Sequence, residues 1–106
     1  MSLKDLKIKT GVVKRLFKEE KSYHKEVSEQ KKRIEKITIG GADKYDIAKQ
    51  NEVLDESQQM IHEVKNRLRE AHKVLQDLVN KQDPSWVGTE ELKQAEDILK
   101  EVESEL

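Results

Sequence analysis

The chain of 106 residues predicts an all-α fold, an elongated antiparallel three-helix bundle (up-down-up) with coiled-coil-like heptad packing and a shorter third helix. Three observations carry that prediction. First, apolar residues recur in alternating steps of three and four: Leu6, Val13, Leu16, Tyr23, Val27, Ile34, Ile37, then Ile47, Leu54, Ile61, Val64, Leu68, Ala71, Leu75, Leu78, then Leu92, Ala95, Leu99, Val102, Leu106. That spacing places them on one stripe of a helix, the seam of a coiled coil. Only Lys9, Glu20, Gln30, Gln50 and Ser57 interrupt the stripe with polar side chains. Second, the three series are separated by Gly40-Gly41 and by Asp83-Pro84 with Gly88, residues that end helices or bend the backbone. Third, 41% of residues are charged and 34% hydrophobic with four aromatics, too little apolar bulk for a thick globular core but enough for a narrow seam.

The first helix is expected over about 3–38. Ser2 can cap it, with Asp5 three residues on as the acidic partner of a capping box, and Gly11 is carried inside it because Leu6 stays in phase with Val13. Ile39-Gly40-Gly41-Ala42 makes the turn. Asp43 caps a second helix, about 43–81, which Asp83-Pro84 terminates. Thr89 caps a third, about 89–105, with Glu90 and Glu91 at the positive end of its dipole. Trp86, in the turn between them, is expected to plug the end of the bundle. The whole of 1–106 reads as a single three-helix domain.

Short turns make neighbouring helices antiparallel. Pairing the first two so that residue numbers sum to 84 gives ten layers, among them Leu6/Leu78, Lys9/Leu75, Val13/Ala71, Leu16/Leu68, Gln30/Leu54 and Ile34/Gln50, none of them polar against polar. Paired with the second helix at a sum of 170, the third then covers only the first five layers, Leu6 to Glu20, leaving the half from Tyr23 to Ile61 as a bare two-helix hairpin. Its seam and flanks include Tyr23, Val27, Ile34, Ile37, Ile39, Tyr45, Ile47, Val53, Leu54, Met60 and Ile61, a partly exposed apolar stripe of the kind that meets a partner or a second copy.

Charge is unevenly distributed. Residues 1–38 hold 12 Lys/Arg against 6 Asp/Glu, a balance of +6; 39–82 hold 7 against 8, or −1; 83–106 hold 2 against 8, or −6. A basic first helix beside an acidic third one neutralises internally. The chain has no cysteine, so neither disulfides nor cysteine zinc sites arise, which fits a reducing compartment. The opening MSLKDLKIK lacks the apolar core of a signal peptide, no apolar run reaches the roughly 18 residues of a membrane span, and a cytoplasmic location is expected.

Chemistry is sparse. Nothing assembles a nucleophile with a base, and His24, His62 and His72 are isolated, without a helical metal-binding pair, and read as solvated residues on helix faces. No catalytic residue, cofactor or metal is expected, and the protein is read as a non-enzyme. Lys31, Lys32 and Arg33 form a basic cluster, but it is short, interrupted by Glu29 and Glu35 and lacks aromatic stacking partners, so nucleic acid is not an expected partner. Nor is a membrane surface, since the apolar face of the first helix is needed for the seam.

Leu6-Lys7-Ile8-Lys9-Thr10-Gly11-Val12-Val13-Lys14-Arg15-Leu16 resembles the N-terminal signature of the tubulin-binding cofactor A, or tubulin-specific chaperone A, family. Tyr45-Asp46-Ile47-Ala48-Lys49-Gln50, followed by Glu52, Leu54, Glu56 and Ser57, resembles the same family, and the order of helices matches over essentially the full chain. The third-helix region departs most from the resemblance, and Pro84-Ser85-Trp86 is not carried over from it. The resemblance implies a cytoplasmic, cytoskeleton-associated chaperone that captures and holds β-tubulin folding intermediates before αβ-heterodimer assembly, meets other tubulin-folding cofactors indirectly, and works as a monomer or homodimer. Combining family motifs with the hairpin half gives the expected partner-binding residues: Tyr23, Tyr45, Ile47, Leu54, Met60 and Ile61 for apolar contact, and Lys31, Lys32, Arg33 and Lys49 to steer an acidic partner. The alternative is a structural coiled-coil adaptor that self-associates through the exposed hairpin end.

Overall fold

The computed structural model describes residues 2–106. Three α-helices account for most of them: α1, Leu3–Ile39; α2, Lys44–Asn80; and α3, Glu90–Glu103. A 3₁₀ turn, Pro84–Trp86, lies between α2 and α3. The two long helices form a hairpin and the third is much shorter, the all-α architecture that the three phased heptad series call for.

Each helix end is closed by local chemistry. The Ser2 hydroxyl accepts from the Asp5 amide at 3.2 Å while the Asp5 carboxylate accepts from the Ser2 amide at 3.2 Å, a reciprocal capping box. At the other end of α1 the Gly41 amide bonds the Thr38 carbonyl and the Ala42 amide bonds the Ile37 carbonyl. This is the Schellman pattern, and it requires the left-handed conformation that Gly41 adopts at φ 77°. The Asp43 carboxylate then accepts from the Tyr45 amide at 3.3 Å to open α2. At the far end of α2 the left-handed position is taken by Gln82, φ 53°, before Asp83 turns the chain by accepting from the Ser85 amide and hydroxyl at 2.9 and 2.7 Å. Thr89 caps α3, its hydroxyl oxygen accepting from the Leu92 amide at 3.2 Å.

The chain divides into two compact units. One comprises the chain up to Lys18 together with Lys65–Leu106; the other is Glu19–Val64. The first contains the dry core: Leu6, Val13, Leu16 and Phe17 of α1, Leu68, Leu75 and Leu78 of α2, and Ala95, Ile98, Leu99 and Val102 of α3, sealed by Trp86. Trp86 is only 3% exposed, which is the plugging role expected of it.

Three details of this unit differ from the seam reading. Lys9 is exposed, and Thr10 occupies the buried place with its hydroxyl donating to the Leu6 carbonyl at 2.8 Å. The cause is α3: a third helix widens the buried face of α1 toward the heptad-spaced positions Leu3, Thr10 and Phe17. His72 is half-buried rather than solvated, with its Nε2 donating to the Leu99 carbonyl at 3.1 Å and so tying α3 to α2. At the C-terminus α3 stops at Glu103 and Leu106 is 40% exposed, because the carbonyls of the last turn are capped by the chain turning back at Ser104 and Glu105.

The second unit is two helices alone. Glu20, Val27, Gln30 and Val64 are buried, while Tyr23, Ile34, Ile37, Ile47, Leu54, Ser57 and Ile61 remain half-buried, as a pair of helices cannot exclude water from its own seam. The heptad pattern explains why no third helix is accommodated. The stripe that continues from Leu3, Thr10 and Phe17 is His24, Lys31 and Thr38, and the stripe preceding His72 and Val79 on α2 is Lys65, Gln58 and Asn51, all polar.

Candidate functional site

The Glu19–Val64 hairpin contains every residue that the sequence reading singled out for partner binding. Its seam is held by a polar layer. Gln30 is buried, its side-chain amide donates to both the backbone carbonyl and the side-chain oxygen of Gln50 at 2.9 Å, and its own oxygen accepts from Arg33 Nη1 at 2.6 Å. The expected layering kept polar residues from facing one another. Glutamine side chains are long enough to reach across one helical turn, so Gln30 meets Gln50 rather than only Leu54, and no buried side-chain polar atom among the described residues is left without a partner. Glu20, also buried, has Oε1 3.3 Å from His24 Nε2.

The apolar candidates split into two groups. Tyr23, Ile47, Leu54 and Ile61 lie in the seam and are half-buried between the helices. Tyr45 is 84% exposed, at the first turn of α2 and turned away from the seam. Met60 is half-buried on the flank of α2. Steps of four, four and seven place Tyr45, Lys49, Val53 and Met60 on one side of α2. Val53 and Arg33, with Glu26, Glu29, Gln30 and Ser57, line a shallow cavity of about 250 Å³ on that side. Val53 and Ile39, both exposed, extend the apolar surface. The signal for both is a large apolar residue standing off the heptad seam.

The basic candidates do not form one patch. Successive residues of an α-helix are about 100° apart, so Lys31, Lys32 and Arg33 fan around α1. Arg33 lies on the flank of the Val53 cavity, bonded to Gln30; Lys31 continues the His24 and Thr38 stripe; Lys32 points between them, away from the seam. All three and Lys49 are exposed. Among the described residues no group of His, Cys, Asp or Glu could hold a metal ion, and no helix is long and apolar enough to cross a membrane. The two carboxyls held below the usual aspartate range, Asp5 and Asp83, owe it to hydrogen bonds from Ser2 and Ser85 and belong to caps.

Comparison with known proteins agrees with this architecture. The family model described as tubulin binding cofactor A matches residues 1–99. Tubulin-specific chaperone A of Gallus gallus is 44% identical over 103 residues, covering 97% of this chain and 94% of the relative. The crystal structure of tubulin folding cofactor A from Arabidopsis thaliana superposes with a TM-score of 0.87 at 33% identity, over 96% of this chain and 95% of that one. RBL2P, described as a β-tubulin binding post-chaperonin cofactor, superposes with a TM-score of 0.80 at 29% identity, over 94% and 95%. With a family match spanning nearly its whole length and the same three helices in the same order, this chain belongs to the tubulin binding cofactor A family.

Proposed function

We propose that the protein is a non-catalytic chaperone that binds β-tubulin after its release from the chaperonin and holds it before αβ-heterodimer assembly. The observation that carries this reading is the chain-long similarity to a β-tubulin binding post-chaperonin cofactor. The Glu19–Val64 hairpin supports it, because its apolar seam is left half-wet and its α2 flank carries exposed apolar groups, a surface suited to a folding subunit with its own interface uncovered. Binding begins on the exposed strip, with Tyr45 and Met60 as apolar contacts and Lys49 as a cation beside them. Tyr23, Ile47, Leu54 and Ile61 add contact where the client reaches into the seam. Lys31, Lys32 and Arg33, fanned around α1, raise the local positive potential and act on encounter rate rather than as a clamp.

The chain works in the cytoplasm as a single three-helix domain, monomeric or homodimeric, in association with the cytoskeleton, hands its client to other tubulin-folding cofactors, and needs neither nucleic acid nor membrane. Native electrophoresis with labelled β-tubulin freshly released from the chaperonin tests the reading, with α-tubulin and actin as controls. A discrete β-specific complex supports it. The absence of a shift, where another β-tubulin chaperone gives one, overturns it and leaves the coiled-coil adaptor.

A further inference from the structure

Far along the sequence from the hairpin, in the unit that contains the dry core, a second surface is unused by this reading. A cavity of about 470 Å³ opens where α2 ends, the Pro84–Trp86 turn crosses and α3 begins. Val79, Trp86, Val87 and Leu92 give it apolar walls, and Asp83 and Glu96 place two carboxylates at its edge. Its volume falls within the range of small-ligand pockets. A second hollow of about 340 Å³ shares Val87, Leu92 and Glu96 with it, so the two form one groove with Val87, 76% exposed, standing between them.

Three features make this groove electronegative. Glu96 is exposed and makes no hydrogen bond or ion pair with any described residue. Asp83 takes both bonds from Ser85 on Oδ1, leaving Oδ2 without a partner among the described residues, and those same bonds hold its carboxyl below the usual aspartate range, so it stays ionised. The last turn of α2, a helix of 37 residues, has no basic side chain to offset the negative end of its dipole. Lys93 lines the second hollow together with Glu90, so the charged side chains of the groove, Asp83, Glu90, Glu96 and Lys93, still sum to −2, while Lys81 lines a different hollow with Lys9, Val74, Asp77 and Leu78. The left-handed Gln82 contributes to the same wall, an uncommon conformation for a residue with a Cβ.

We propose that this groove is a second binding site, distinct from the hairpin, which takes an extended peptide segment with a basic side chain between apolar neighbours. The cation sits between the Glu96 and Asp83 carboxylates at the α2 C-terminus, and the flanking apolar side chains lie on either side of Val87 against Trp86 and Leu92. A groove divided by a protruding side chain suits an extended chain better than a compact molecule. The carboxylates exclude an acidic segment, and the apolar walls distinguish the site from a surface that merely gathers counterions.

Trp86 is the only tryptophan, so its emission reports on the groove directly. The probe is the peptide acetyl-Leu-Arg-Leu-amide, compared with the neutral citrulline analogue and with acetyl-Leu-Glu-Leu-amide. Binding is read by Trp86 emission and by the ¹⁵N-resolved shift of the Trp86 indole N–H. The arginine peptide is expected to move both signals saturably, the other two not. Glu96→Gln, at an exposed position, should weaken the arginine peptide about fivefold or more without changing Tm; Asp83→Asn, which preserves a capping oxygen but removes the charge that strengthens the cap, should weaken it similarly with a small fall in Tm. Failure of the arginine peptide to move either signal, equal binding of the citrulline peptide, or undiminished binding by Glu96→Gln overturns the proposal. Because β-tubulin capture is measured separately, either result leaves the hairpin reading standing or falling on its own test.

Discussion

Tyr45 gives the sharpest separation of folding from recognition. Its ring is 84% exposed, and its tie to the fold is a backbone bond, the amide donating to Asp43 at 3.3 Å, which alanine retains. Tyr45→Ala should therefore leave helicity and Tm within the scatter of a surface substitution, about 0.5 kcal/mol. The binding effect is different. A tyrosine presents about 200 Å² of surface; covering the exposed part completely at about 25 cal/mol per Å² is worth roughly 4 kcal/mol, and covering half of it roughly 2 kcal/mol. That corresponds to a loss of about 30-fold in β-tubulin affinity. Fluorescence anisotropy with labelled β-tubulin freshly released from the chaperonin would read it, with Tyr45→Phe as the control that keeps the ring and most of the affinity. If Tyr45→Ala binds as tightly as the parent chain while keeping its helicity, the α2 strip is not the contact surface and the reasoning fails.

Three further predictions concern the fold. Gly11 is exposed within α1 and a Cβ there meets nothing within 4 Å, so Gly11→Ala should stabilise by about 0.5–1 kcal/mol and raise Tm by several degrees in thermal circular dichroism. Leu75→Ala, at a fully buried position in the core cluster, should cost about 3 kcal/mol, whereas Leu54→Ala in the half-buried hairpin seam should cost about 1 kcal/mol; equal costs would contradict the difference in burial. Asp5 and Asp83 have folded-state pKa values below the unfolded one, so the stabilisation they give is complete above the unfolded value near ~3.9 and is lost as pH falls through the folded value. Amide exchange at Ser2 and Ser85, whose N–H groups donate to these carboxylates, should accelerate over that acid interval in the parent chain and show no such step in Asp5→Asn and Asp83→Asn respectively.

Much of the fold is legible because it is locally encoded. Ser2 with Asp5, Asp43, and Thr89 announce helix starts by chemistry that operates within three residues, and Gly41 marks a left-handed stop. The heptad seam is legible for the same reason. What is lost is what a third body adds. Lys9 satisfies the two-helix spacing, yet the arrival of α3 rotates the buried face toward Thr10 and Phe17 and recruits His72. Gln82 in a left-handed conformation carries no local signal, since the residue types that favour it are glycine and asparagine. The half-covered hairpin was legible as a region, and the grouping of its candidate residues was not. Adjacency made Lys31, Lys32 and Arg33 look like one patch, and helical geometry disperses them; Tyr45, Lys49, Val53 and Met60, far apart in sequence, share a side.

The distribution of polar residues along the seam shows how one short chain builds a dry half and a half-wet one. The core unit keeps its α1 and α2 seam apolar apart from Lys9, which turns out to be exposed, and dedicates a third helix and a tryptophan to drying it. The hairpin contains the buried Glu20, the Gln30–Gln50 layer and Ser57. Each lowers the apolar gain from zipping two helices, yet the glutamine pair is satisfied only when those two residues meet. A one-heptad slip would leave a buried amide without its partner, at a cost of about 1–3 kcal/mol. The polar layer thus fixes register where apolar packing is too thin to do so, as a buried asparagine does in a coiled coil. With the backbone held in register, the half-wet seam and the α2 strip remain uncovered, the surface that the proposed capture of β-tubulin would use.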